Sequence, residues 1–207
     1  MKYISLGINC FSSHMLKVYG LRNESLMFDW ASVTIDKLIK ILNKYSIDNY
    51  KDLFINDTGR WIYGNRYPKE RNKLITWLHH SDQKYRERVT ERFFNRIANN
   101  EEKCFIITRD NAKRRAPFTR NGWGDRNDIL CLINILKKIT SNFKVILIDV
   151  IHTNNNSLEN ILDHKHLDYY DYYILETSYS TPFSVDLSRY KIFESLIKKY
   201  EPNLDIN

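Results

Sequence analysis

Two stretches in the second half of the chain constrain its fold more than anything else in the sequence. Lys103–Thr108 reads Lys-Cys-Phe-Ile-Ile-Thr, and Lys144–Ile151 is rich in Val and Ile around Leu147. Neither alternates apolar with polar residues. A strand that wets one face alternates, whereas a strand apolar along its length is covered on both faces, as in parallel sheets. A helix-length stretch, Asp125 to Ile139, lies between the two. Strand, helix and strand in that rhythm form a parallel crossover unit.

The rest of the chain extends the pattern. Lys2–Ile8 reads as a strand, and Phe11–Tyr19 as a helix with Gly20 as its stop. Ser32 is placed to cap a helix over 33–45, where Ile35, Leu38, Ile39 and Leu42 recur at helical spacing. Leu74–His80 reads as a strand, followed by a helix from Ser81 and Asp82 to about Ala98. After a turn at 152–156, Ser157 opens a short helix to about Asp163. Tyr172–Thr177 is a strand and Ser188–Tyr200 a final helix. Residues 46–72 give no assignment, and 109–124 read as a long loop of the kind that often carries function. The expected fold is three-layer α/β, a mostly parallel sheet with helices on both faces, in one domain over 1–207. In such sheets reactive groups collect at the carboxyl ends of the strands. Cys10, His79, His80, Arg109, Asp110 and His152 all fall at or just past a predicted strand end.

Composition narrows the class. At 43% hydrophobic residues the chain can fill a core without a disulfide or metal staple, and its 6 Gly and 4 Pro are few for a turn-rich all-β protein. No apolar run approaches the ~18 residues of a membrane span. The apolar stretch at the N-terminus is too short for a signal peptide. These readings lead to the expectation of a cytoplasmic protein without membrane partners, in a bacterium or, for a viral protein, in its host cell. The Asn-x-Ser/Thr sequons are then incidental.

The net charge of +7 is uneven. Residues 60–73 carry +4 and residues 109–126 another +4, so the remainder sums to −1. Arg109, Arg114, Arg115 and Arg120 in the second segment suit a phosphate, a carboxylate or an acidic peptide. With Trp61, Tyr63, Tyr67 and Trp123 nearby, nucleic acid is an alternative. A merely solvated basic surface would look the same.

Three cysteines form no Cys-x-x-Cys pair, which excludes a zinc ribbon or thioredoxin motif. Cys104 and Cys131 sit in apolar runs and read as core residues. Cys10 instead lies between a strand and a helix, where the helix N-terminus favours a thiolate. Gly7 and Asn9 tolerate the backbone of a tight nucleophile turn, and Asn9 is placed to help hold an oxyanion. A buried structural cysteine is the plain alternative. A thiolate needs a histidine within reach. His80 at the strand tip is preferred over His79, and His14, four residues after Cys10, is the second choice. Asp29 and Asp110 are candidates to orient that histidine. Asp29 lies between Phe28 and Trp30, and Arg22 is its obvious partner, which would make it structural. Asp163, His164 and His166 form the one metal-like grouping considered, and no other ligand spacing supports it, so no metal or cofactor is expected.

Ser5-Leu6-Gly7-Ile8-Asn9-Cys10, then Leu21-Arg22-Asn23-Glu24-Ser25, then Phe28-Asp29-Trp30 resemble a bacterial and viral family of unknown function classed as papain-like cysteine peptidases. The resemblance is strongest over 3–30 and weaker to about 150. It implies a Cys-His hydrolase centred on Cys10, acting on a peptide, amide or acidic small molecule. It also implies an alternative fold, papain-like α+β, with the cysteine on a helix and the histidine on an antiparallel sheet. Three functions therefore stand side by side: a cysteine-dependent hydrolase or amide/acyl-transfer enzyme, an anion-binding transferase of glycan or nucleotide-sugar metabolism without a covalent cysteine, and a non-catalytic basic binding module.

Overall fold

The structure, a computed structural model, describes residues 1–6, 11–29, 31–56, 58–60, 74–77, 82–110, 126–153, 160–167, 170–178 and 191–200. A five-stranded sheet is assembled from β1 (Lys2–Ser5), β5 (Lys103–Asp110), β6 (Phe143–Thr153), β7 (Asn160–Leu167) and β8 (Tyr170–Ser178), in the order β1-β5-β6-β8-β7. Four of these strands are parallel; β7 alone is antiparallel, closing a hairpin onto β8. A second, three-stranded sheet joins β2 (Ala31–Ser32), β4 (Ile75–Trp77) and β3 (Thr58–Arg60), with β4 in the middle. Six helices accompany them among the described residues: α1 (Phe11–Val18), α2 (Ile35–Lys44), α3 (Lys51–Asn56), α4 (Gln83–Ala98), α5 (Arg126–Ile139) and α6 (Lys191–Lys198).

Why the central strands are apolar throughout is now plain. Alternate residues point to opposite faces, and each face has its own core. Ile4, Phe105, Ile107, Val145 and Leu147 belong to one cluster, which α2, α4 and α5 complete through Leu38, Phe93 and Leu132 among others. Tyr3, Cys104, Ile106, Ile146 and Ile148 belong to the other, completed by Met15 and Leu16 of α1 and by Leu196 and Ile197 of α6. The expected α/β architecture with helices on both faces is present. Of the two folds anticipated, the parallel sheet is the one observed.

Local chemistry sets several boundaries. Gly20 ends α1 with φ of 65°, the left-handed conformation that glycine adopts without steric cost. Asp82 caps α4, its carboxylate accepting from the Lys84 amide at 3.0 Å. The predicted cap Ser32 lies instead in β2, pairing with Thr76. Thr34 occupies the N-cap of α2 and makes no side-chain cap; its hydroxyl donates to Asp36.

Two further expectations are corrected. The short helix over 157–163 is absent, since Asn160–Leu167 is strand β7, with register Asn160↔Glu176 to Leu167↔Tyr170. Leu158, Ile161 and Leu162 have helical spacing, but pairing satisfies the β8 backbone that would otherwise form an edge. Cys131 is exposed rather than core. Ile129, Leu132, Ile133 and Leu136 of α5 form a buried i, i+3, i+4, i+7 stripe that Ile135 widens, and position 131 falls outside it. Arg109 and Asp110, expected at the start of a loop, extend β5.

Candidate active site at the end of the first strand

Residues 7–10 connect β1 to α1 and, with Asn9 and Cys10, lie outside the described residues. β1 extends its ladder one residue further through the Leu6 amide, which donates to Ile106 O at 2.9 Å. Ser5 Oγ at the strand end and Ser12 Oγ in the first turn of α1 are 2.6 Å apart and fully buried. That hydrogen bond ties the end of β1 to the start of α1. The first turn of α1 holds no acidic residue of its own.

Ser13, the next residue, begins a second buried network. Its hydroxyl accepts from Arg22 Nη1 at 2.7 Å, and the same nitrogen donates to Asp29 Oδ2 at 2.5 Å. Asp29 Oδ2 also accepts from the Leu26 amide at 2.7 Å. The Arg22 and Asp29 side chains are 7% and 1% exposed, so this is an interior ion pair. Burial raises the Asp29 pKa above the ordinary carboxylate value, opposed chiefly by the Arg22 charge and the Leu26 amide. Its other oxygen, Oδ1, is buried and accepts no hydrogen bond from the described residues. Arg22 is therefore the partner the sequence pointed to, and it occupies one oxygen of Asp29.

Of the candidate histidines, His14 is described. It is half-buried on α1, and its pKa is lowered first by burial and then by the charges of Lys17 and Arg22, which favours the neutral imidazole. His79 and His80 lie outside the described residues. The strand that leads to them does not: β4 runs antiparallel to β2, with Trp77 opposite Ala31. Arg114, Arg115 and Arg120 also lie outside the described residues.

The carboxyl edge of the main sheet is stepped. β1 stops at Ser5, level with Ile106, while β5 continues to Asp110 about 13 Å further on at ~3.3 Å per residue. Arg109 stands in register with Asp149 of β6, and Asp110 with Val150. His152 lies at the same edge, in register with Thr177. Asp149 is a residue the sequence reading passed over. It is 4% exposed and its Oδ2 accepts from Tyr172 Oη at 2.7 Å. A lone acid inside the most apolar strand was the available signal. Ser5, Ser12 and Ser13 were passed over too, although two adjacent serines on an otherwise apolar helix face mark a polar contact. Among the described residues no group of His, Cys, Asp and Glu has metal-binding geometry.

Residues 1–53 match the sequence model of a family described as "Putative papain-like cysteine peptidase (DUF1796)". The match covers Cys10, Arg22 and Asp29 and stops before either central strand of the sheet. Neither a curated protein nor a solved structure matches the chain. No helix among the described residues is long and apolar enough to cross a membrane.

Proposed function

We propose that the protein is a cysteine-dependent hydrolase or amide/acyl-transfer enzyme with Cys10 as its nucleophile. The observation that carries the reading is the buried Ser5–Ser12 hydrogen bond, which ties the end of a parallel strand to the first turn of α1, and Cys10 falls between these two residues in the sequence. A thiolate is favoured there. The family match over 1–53 supports the same residue.

In this reading the Cys10 sulfur attacks a substrate carbonyl. The S–C bond forms as the carbonyl pair moves onto oxygen, held by backbone amides of the turn and by Asn9. A histidinium gives its proton to the leaving amine as the C–N bond breaks, and water then cleaves the thioester, its proton returning to the histidine. His80 or His79 fills this role best, because Trp77, two and three residues before them, pairs with Ala31, two residues after Asp29. Asp29 Oδ1 then accepts from the imidazole while Arg22 holds Oδ2. His14, kept neutral, is the alternative base. Arg109 and the arginines at 114, 115 and 120 bind an acidic portion of a peptide, amide or small-molecule substrate.

A second reading has one observation of its own. Arg109 and Asp110 lie at the carboxyl edge of a parallel sheet, where α/β folds bind ligands, and a papain-like fold has no such edge. On that reading the protein is an anion-binding transferase of glycan or nucleotide-sugar metabolism, and Cys10 forms no covalent bond.

The test is the pH dependence of iodoacetamide alkylation at each cysteine, read by mass spectrometry on the native protein. The chain holds its own controls: Cys131 is exposed and Cys104 buried. Cys10 is expected to react with an apparent pKa well below the free value of about 8.5, and the buried Cys104 not at all. A Cys10 profile that tracks Cys131 or Cys104 rejects the nucleophile. Nucleotide-sugar binding untouched by Cys10→Ala would then establish the second reading.

A further inference from the structure

At the opposite, amino end of the main sheet the strands do not start level. Ile146 pairs with Asp171, so Tyr170, where β8 begins, stands level with Val145, and Phe143 and Lys144 project beyond it. The notch opens into a cavity of about 560 Å³. Its floor is apolar, built from Ile133 of α5 with Phe143, Leu167 and Tyr170 from the strand ends. Its rim is polar and carries Lys137, Lys144 and His166. Asp171 is the acid beside them, and both its oxygens are engaged: Oδ1 with His166 Nδ1 at 2.6 Å, Oδ2 with the Tyr200 hydroxyl. The first contact fixes the tilt of an imidazole that is 82% exposed. Lys144 meets Glu102 at 3.2 Å, but both are about half exposed, and such surface pairs contribute little.

We infer that this notch binds a small amphiphilic anion, an aromatic or short acyl body with one carboxylate or phosphate head. The volume lies within the ~300–1,000 Å³ of small-molecule sites. The apolar floor takes the body, and Lys137 and Lys144 take the charge. A cation is disfavoured because both Asp171 oxygens are engaged and the other charged groups at the rim are lysines. The site is separate from the Cys10 edge: it lies at the amino ends of β6 and β8, whereas Cys10 follows the carboxyl end of β1, two strands away from β6 in the sheet. It stands whether or not Cys10 is a nucleophile.

The full chain is titrated with phenyl phosphate, following backbone amides of Phe143–Val145, Leu167, Tyr170 and Asp171 by two-dimensional NMR. Benzoate reports a carboxylate head in place of phosphate, while inorganic phosphate and phenol report head and body alone. Saturable one-to-one shifts confined to those amides are expected with phenyl phosphate, benzoate or both. Binding of each half alone should be about tenfold weaker or less, and the Lys137→Ala, Lys144→Ala double variant should lose at least about tenfold. Both lysines are exposed, so the variant's spectrum should otherwise overlay the parent's. Shifts that never saturate, that centre on other residues, or that survive the double variant overturn the site.

Discussion

Asp29 and Arg22 show how much rests on single residues. Removing one member of an interior ion pair strands the other's charge, at about 3–5 kcal/mol, whereas replacing both with well-packed neutral groups is often tolerated. Asp29→Ala is therefore expected to lower urea stability by that amount, and Asp29→Asn with Arg22→Met to recover most of it. A double-mutant cycle with no coupling would show the pair to be incidental. His14 supplies a pH signature. Its pKa falls below the ordinary 6.5 on folding, so between the two values the unfolded chain binds more protons. Stability is then intact above pH 6.5 and is lost as pH falls through the folded value. His14→Gln should flatten that acid limb, measured as urea midpoints across the window. An unchanged limb would place the proton uptake elsewhere.

At the scale of elements, strand position decides protection. β6 and β8 are each paired on both sides, whereas among the described residues β7 pairs with β8 alone and has a register irregularity between Ile161 and Asp163. Native-state hydrogen exchange should find the amides of β6 and β8 slowest and those of β7 several-fold faster. Equal protection along β7 would mean that its outer edge is covered. The same elements show what a sequence carries and what it conceals. β5 and β6 were legible because burial on both faces removes polar residues from the whole run. β7 was not, because its pattern is set by a partner strand three residues downstream and its leading Ser-Leu mimics a capped helix. At the site, the Arg22–Asp29 pair was readable from an acid wedged between aromatics. The Ser5–Ser12 bond was not, since it depends on how β1 and α1 meet in space.

Across the whole molecule two cores share one sheet. Phe93 and Leu196 are both fully buried, one in each core. Each truncation to Ala should cost about 2–5 kcal/mol. Because β5 and β6 wall both cores, either variant should shift one cooperative transition, seen alike by tryptophan fluorescence and circular dichroism. Two separated transitions in the Leu196→Ala variant would show that the α1–α6 face melts independently.

That face has a consequence for synthesis. Its two helices, α1 and α6, are separated by about 170 residues of chain. At ribosomal rates of ~5–20 residues per second, roughly 10–30 s pass between the emergence of one and of the other. During that interval α1 has no α6 to complete its layer, and the thiol at its head belongs to an unfinished protein. That face of the sheet therefore stays open until α6 has left the ribosome, a delay imposed by topology alone.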